Sequence, residues 1–427
     1  MDTAPTSPPD APRQSRRGAF SLLFASLLAI GAGNTMLIAA VVPIMTRDLD
    51  MPDWTAGAIF SLSAALWTLS SPFWGRKSND WGRRPVAALG LAGYSLSMLL
   101  FGTAGWLALN GFIEGTYVIL ACLLASRSVF GLVGSGASPA AQAYVADRTT
   151  PEERTNEIAS VTSGFSVGTV AGPAFAAAMV AVFGLLSPVF FTFVAAGIMS
   201  FLLFTRLPEN TPPRTDAALP RPEIPGAKGL WRDPRVLPFL VYAVGLSIIT
   251  GVLTQTFVFA VIDKMGVSGT EAAQFTGPAF SIGAMATLLS QLVIIPRFRM
   301  GTRTLMTVGA ISLCTGALLI VPTDNFAVLI VAQFAIGLGQ GLARPGFSSG
   351  ASLAVGPELQ GNVAGLVIAC NGMGFVVSPF LGPLVYEFVH PAAPFLIAAV
   401  LLTGLALFAR FVLPAQPGEA PKAEIPG

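Results

Sequence analysis

The sequence predicts an all-α membrane protein: twelve transmembrane helices in two pseudo-symmetric six-helix bundles. Three observations predict it. The composition is strongly apolar, twelve long hydrophobic segments carry one-sided flanking charge, and the second half of the chain repeats features of the first. Hydrophobic residues fill 53% of the 427 positions and charged residues only 11%, against about 25% charged in a soluble domain. A soluble chain this apolar would expose large adhesive patches. In a bilayer the same surface faces lipid. The 45 glycines and 33 prolines would suggest loops in water, but membrane helices tolerate both because their neighbours re-satisfy the backbone.

A helix crosses the roughly 30 Å hydrocarbon core in about 20 apolar residues. Spans are expected near 18–46, 55–75, 86–108, 115–146, 151–183, 186–206, 236–262, 270–296, 304–322, 325–355, 357–388 and 392–413. The longer ones imply tilt or extension beyond the lipid. The segment after the polar tail 1–17 is too long for a signal-peptide core and lacks a clear small-x-small cleavage site, so it is read as the first span. Of the 24 Lys and Arg, only Arg47 and Lys264 fall in the odd-to-even loops, and Arg127 and Arg344 lie within spans. The other 20 (24 − 4) sit in the N-tail, the even-to-odd loops, the C-tail or the span ends that adjoin them. Basic residues collect on the cytoplasmic side of membrane proteins, so both termini are expected there. Helix starts are marked at Thr150-Pro151-Glu152-Glu153, at Ser268 with Glu271, and at Gly356-Pro357-Glu358 by caps, a first-turn proline and capping-box acids.

The stretch 206–235 carries many prolines and six basic residues and reads as a cytoplasmic linker, partly disordered. The chain divides into a tail 1–17, a bundle 18–206, a linker 207–235, a bundle 236–413 and a tail 414–427. A shift of 206 positions matches Gly131 with Gly337, Leu132 with Leu338, Pro139 with Pro345, Pro151 with Pro357, Glu152 with Glu358, Gly168 with Gly374 and Pro173 with Pro379. Seven matches at one register support two repeated bundles. That pattern is the mark of many secondary transporters, whose substrate site lies between the repeats near the bilayer midplane.

Other chemistries find no footing. Cys122, Cys314 and Cys370 each sit in an apolar run and read as small buried hydrophobes. The lone His390 cannot assemble a metal site. No Ser-His pair, His/Cys/Asp cluster or phosphate loop appears, so no enzyme activity, cofactor, metal or nucleic-acid partner is expected.

Three motifs remain. The 2–3 loop reads Gly75-Arg76-Lys77-Ser78-Asn79-Asp80-Trp81-Gly82-Arg83-Arg84-Pro85. The fourth span carries Arg127 followed by Gly131, Gly134 and Gly136. The fifth carries Gly164, Gly168, Gly172 and Pro173, a four-residue glycine spacing that lets helices approach closely. Arg127 lies roughly 18 Å into its span at ~1.5 Å per residue, near the bilayer centre, where a charge is costly and marks function. In this order the motifs resemble those of the major facilitator superfamily, in particular the drug:proton antiporter branch with its tetracycline and multidrug exporters. The resemblance covers nearly the whole chain, 18–413. It departs at Asn79, where the family pattern has an acid, with Asp80 one residue later. In the family that acid faces a helix N-terminus in the other half and latches one state, while a one-residue shift turns a helical side chain by about 100°.

The resemblance implies alternating-access transport by a monomer in a bacterial inner membrane: proton-coupled antiport, with efflux of amphipathic small molecules or drugs. An importer or a lipid or metabolite exporter of the same fold, and a non-transporting sensor, are the alternatives. Gly75, Asn79, Asp80, Gly82, Arg83 and Arg84 would form the conformational switch, and Arg127 the central charge. No acid sits at the centre of any span, and Asn34 stands where some relatives carry one. Proton coupling would then run from the edge through Glu114 or Asp80, or through Arg127 and water; uncoupled transport is the third alternative. The family topology places Asn34, Trp67, Ser163, Ser166, Tyr242, Gln255, Phe257, Gln291, Gln333, Gln340 and Asn371 at mid-depth on cavity-lining spans. For most of them interhelical packing is as good a reading as ligand contact.

Overall fold

The structure, a computed structural model, describes residues 13–149, 151–209, 229–267, 269–298, 300–356 and 359–413. Among these, twelve helices are long and apolar enough to cross a bilayer. They are α1 Arg17–Asp48, α2 Asp53–Trp81, α3 Arg83–Leu109, α4 Thr116–Ala146, α5 Ser160–Phe183, α6 Ser187–Arg206, α7 Leu237–Met265, α8 Glu271–Phe298, α9 Thr302–Ile320, α10 Phe326–Leu353, α11 Asn362–Phe388 and α12 Ala393–Phe411. The turns after the odd-numbered helices mark what we call the distal end. The chain termini and the connection between α6 and α7 mark the terminal end.

One expected boundary is corrected. The second span, expected to stop at 75, continues as helix to Trp81, so the basic motif is helical and the turn shrinks to Gly82. Nothing from Arg76 to Trp81 breaks a helix. Loss of hydrophobicity marks where lipid ends, not where the backbone turns. Gly82 stops the helix with φ +96°, a conformation open to glycine at little cost. The expected start signals at Thr150, Ser268, Pro357 and Glu358 lie outside the described residues. At α10 the N-cap is Asn325, whose side chain accepts from the Ala327 N–H at 2.8 Å.

Three helices change winding. α1 contains a π-turn at Leu37–Val41 and α8 another at Ser290–Ile294. α4 tightens to a 3₁₀ turn at Gly134–Gly136, where the Trp74 indole N–H takes the Leu132 carbonyl.

Hydrocarbon does not drive helices together, so contact depends on close packing of small residues. On α5, a Cβ added to Gly164, Gly168 or Gly172 would meet backbone oxygens of Phe24, Leu28 and Ala32 in turn. These lie four residues apart on α1. Glycines related by the 206-residue offset hold equivalent contacts. Gly168 faces α1, while Gly374 on α11 faces Ser247 of α7. Gly131 on α4 faces Ser63 and Leu66 of α2, while Gly337 on α10 faces Gly283 of α8. The first six helices meet the last six through α2 against α11 and α5 against α8. Gly57 abuts the Pro379 carbonyl, and Gly277 abuts Ala177 and Pro173.

Gly168→Leu should therefore cost about 1–3 kcal/mol or more by overpacking, read as a lower midpoint of thermal unfolding in detergent. Gly404→Leu, where nothing lies within 4 Å, should leave the midpoint unchanged. Equal midpoints for the two variants would contradict this packing.

Candidate functional site

Arg127 is eleven residues past the start of α4 (127 − 116), roughly 17 Å at ~1.5 Å per residue. Its side chain is enclosed, with 1% of the residue exposed. It has no carboxylate partner among the described residues. Its Nη2 donates to Asn34 Oδ1 of α1 at 2.8 Å. The guanidinium lies 4.4 Å from the centre of the Phe130 ring, and that ring packs on Trp67 of α2 at 4.8 Å and Tyr94 of α3 at 4.9 Å. The Arg127 Nε and Nη1 groups are buried and find no hydrogen-bond partner among the described residues. A guanidinium keeps its proton in a protein. A neutral amide and an aromatic face solvate it only in part, so the site holds a fixed positive charge with donors to spare.

α1 and α4 bring these groups together. The glycine contacts of α5 hold α1 close, and Gly31 and Gly33 leave room beside the Phe165 carbonyl and the Tyr94 hydroxyl. The i±4 neighbours of Arg127, Leu123 and Gly131, supply no charge, and the partner comes from another helix. Glu114 is not brought to it. That residue is exposed in the turn before α4, thirteen residues from Arg127 (127 − 114), or roughly 20 Å along the axis.

The remaining polar residues are scattered. Tyr242 is buried and donates to the Met306 carbonyl at 2.6 Å. Phe257 is buried edge-on to Phe280. Ser163 is exposed and bonds to the Ser160 carbonyl. Asn371 is half-buried and accepts from Ser247 at 2.7 Å. Gln333 is buried beside Gly283, Gln340 is half-buried and Gln291 is exposed. Gln255 is buried, with its Oε1 unbonded. The side chain of Ser166 lies outside the described residues. Among those whose side chains are described, only Asn34 and Trp67 join the Arg127 cluster.

At the terminal end, Asn79 and Asp80 sit on the last turns of α2 and are exposed. Asp80 faces Lys77 at 3.9 Å, a loose and solvated pair. A Cβ added to Gly75 would make only an ordinary contact with the Pro139 side chain, at 3.9 Å. Arg83 binds Asp147 through Nε at 2.9 Å and the Ser78 hydroxyl at 2.7 Å. Glu209, just beyond α6, accepts from the backbone N–H groups of Arg83 and Arg84 at 3.2 and 2.6 Å. It thereby caps the N-terminus of α3, where the helix dipole favours an anion. The Pro208 carbonyl accepts from Tyr144 and Arg148. Sequence reading missed Glu209. Its one signal is an acid beside a helix end whose first N–H groups need acceptors.

A sequence profile of the Major Facilitator Superfamily matches residues 23–366 and 279–425. Multidrug resistance protein 2 of Bacillus subtilis (strain 168) is 28% identical over 401 residues, covering 91% of this chain and 92% of that one. The human synaptic vesicular amine transporter is 35% identical over 81 residues, 19% of this chain and 16% of its own. Among solved structures, a bacterial homologue of the human lysosomal transporter Spinster, inward-facing and occupied, aligns with a TM-score of 0.70 at 15% identity, covering 94% of this chain and 97% of that one. The human organic anion transporter MFSD10 aligns at 0.63 and 19% identity, covering 94% and 100%. The twelve helices, the paired glycine contacts and the profile match across the chain agree: this protein is a membrane transporter of the major facilitator superfamily.

Proposed function

We propose that the chain exports amphipathic small molecules by alternating access, exchanging them for protons, with the terminal end in the cytoplasm and each six-helix half moving as a body. The observation that carries the reading is Arg127: an enclosed, incompletely bonded cation in the interior of a family transporter. The similarity to a multidrug resistance protein over most of the chain supports efflux, and the basic bias of the terminal end supports the orientation.

The same site narrows the substrate. Asn34 solvates the guanidinium without neutralising it, so an anionic or strongly electron-rich group on an otherwise apolar molecule satisfies the spare donors. Trp67 and Phe130 supply the apolar wall such a molecule needs. A purely cationic substrate would meet repulsion there.

In proteoliposomes under a pH gradient, addition of substrate should produce proton flux. Arg127→Ala should cut that flux about 30-fold or more, the equivalent of ~2 kcal/mol for a lost charge-assisted bond. Arg127→Lys keeps the charge but not the planar fork and should restore part of it. Full flux in a folded Arg127→Ala protein would refute the assignment.

Ala217, outside the described residues, tests the orientation. In a background whose native cysteines are replaced by serine, Ala217→Cys should resist membrane-impermeant thiol reagents in intact cells and react after lysis. Ready labelling of intact cells would invert the topology.

Gly75, Asn79, Asp80, Gly82, Arg83 and Arg84 are proposed to act in switching rather than in binding, with Glu209 as their anchor. Glu209→Ala should lower turnover while leaving substrate affinity within about threefold, since the cap is remote from Arg127; a cap is worth about 1 kcal/mol. A tenfold affinity loss at unchanged turnover would count against it.

A further inference from the structure

The distal end holds a second set of charges that the motifs do not include. Arg47, in the last turn of α1, binds Asp53 at the start of α2, with Nη2 to Oδ2 at 2.6 Å and Nε to Oδ1. It also reaches Asp263 near the end of α7, Nη1 to Oδ1 at 3.0 Å and Nη2 to Oδ2 at 3.4 Å. Tyr386 of α11 donates to Asp263 Oδ2 at 2.7 Å and so orients it. The Phe259 ring lies 5.4 Å from the guanidinium. Beside this group, Glu387 Oε2 accepts from the backbone N–H of Trp54 at 3.1 Å. Trp54 is in the first turn of α2, whose N-cap is Pro52 and has no side-chain cap bond. Glu387 thus caps α2 from the other half of the molecule, where the positive end of the helix dipole favours a carboxylate.

The bonds divide by what they join. Arg47–Asp53 and Asp263–Tyr386 each lie within one six-helix half and preset the two faces. Arg47–Asp263 and Glu387–Trp54 cross between the halves, next to the backbone contact of Gly57 with Pro379 and the edge-on pair of Trp54 and Phe380. A movement that opens the distal end must break the second pair and can leave the first intact.

We propose that Arg47, Asp263 and Glu387 form a two-part latch that holds the distal end shut. The latch rests on alternating access between the two halves, and not on the identity of the substrate or the coupling ion. The charge count makes it directional. One guanidinium stands against three carboxylates: Asp53 and Asp263 bind it, and Glu387 lies beside Asp53 on the Trp54 N–H. Lys264, the other nearby cation, is turned to the Val321 carbonyl and Asp324. Removing Asp263's charge deletes an attraction. Removing Arg47's charge deletes it and leaves Asp53 and Asp263 repelling each other across the seam. The variants should therefore rank: Arg47→Gln opens the end most, Asp263→Asn less. Glu387→Gln, which keeps an acceptor for the Trp54 N–H, should open it least.

The test measures distance and needs no substrate. Spin labels go on Phe112→Cys and Val389→Cys, exposed positions in the distal turns of the first and second halves. The background lacks the native cysteines and is checked for monodispersity, and distances are read by pulsed electron double resonance. Asp263→Asn should raise the ratio of long to short distances about threefold, the shift expected for loss of a half-exposed ion pair, and Arg47→Gln should raise it further. Asp263→Asn keeps the Arg47–Asp53 pair and so decides the matter if Arg47→Gln does not fold. Distributions for Asp263→Asn and Glu387→Gln that superimpose on the parent would overturn the latch. So would an effect of Asp263→Asn larger than that of a folded Arg47→Gln. Failure of the efflux reading would leave these distances untouched.

Discussion

In a hydrocarbon solvent, apolar helices gain nothing by leaving lipid for one another, so their association rests on how closely their backbones can approach. Here α5 lies on α1 at Gly164, Gly168 and Gly172, and α11 lies on α7 at Gly374 and Gly382. The central site depends on these contacts. Asn34 reaches Arg127 because α1 is held against its neighbours by residues that have no side chain to interpose. The contacts between the halves use the same device, with Gly57 and Gly277 set against the proline-bearing turns of α11 and α5.

Much of this was legible in the sequence. The twelve spans follow from hydropathy and flanking charge, because lipid thickness fixes helix length. The backbone contacts follow from glycine spacing. Arg127 was legible as a charge that has to be solvated inside a membrane. What escaped was the pairing of polar residues at helix ends. Glu209 caps α3 across 126 positions of sequence, and Arg47 reaches Asp263 across 216. Hydropathy registers such residues only as the place where a span stops. Periodicity cannot say which two ends the fold brings together. The end of α2 was misplaced for a related reason: Arg76 to Trp81 are polar enough to leave the lipid and regular enough to remain helical.

The two charged regions differ in kind. Around Arg127 the cation is enclosed and its one hydrogen-bond partner among the described residues is neutral Asn34, so its charge is not balanced by a carboxylate there. At the distal end the cation is half-exposed and acids outnumber it. Ion pairs near water are weak singly, a useful property where a contact must form and break repeatedly. On the proposed reading the buried site would favour selectivity, since an unsatisfied donor in a low-dielectric interior penalises an ill-matched molecule heavily.

The π-turn at Leu37–Val41 lies between these regions, on the helix that serves both. A π-turn takes up about one residue more than an α-turn, which sets the following segment back by roughly 100° in angular phase. α1 thus carries two registers. The segment before the turn presents Asn34 to the interior, and the segment after it presents Arg47 to α2 and α7. Without the extra residue, a uniform helix could not keep both side chains on their present partners. Removing one residue within this turn would bring the two segments into a single phase and disengage one region from the other.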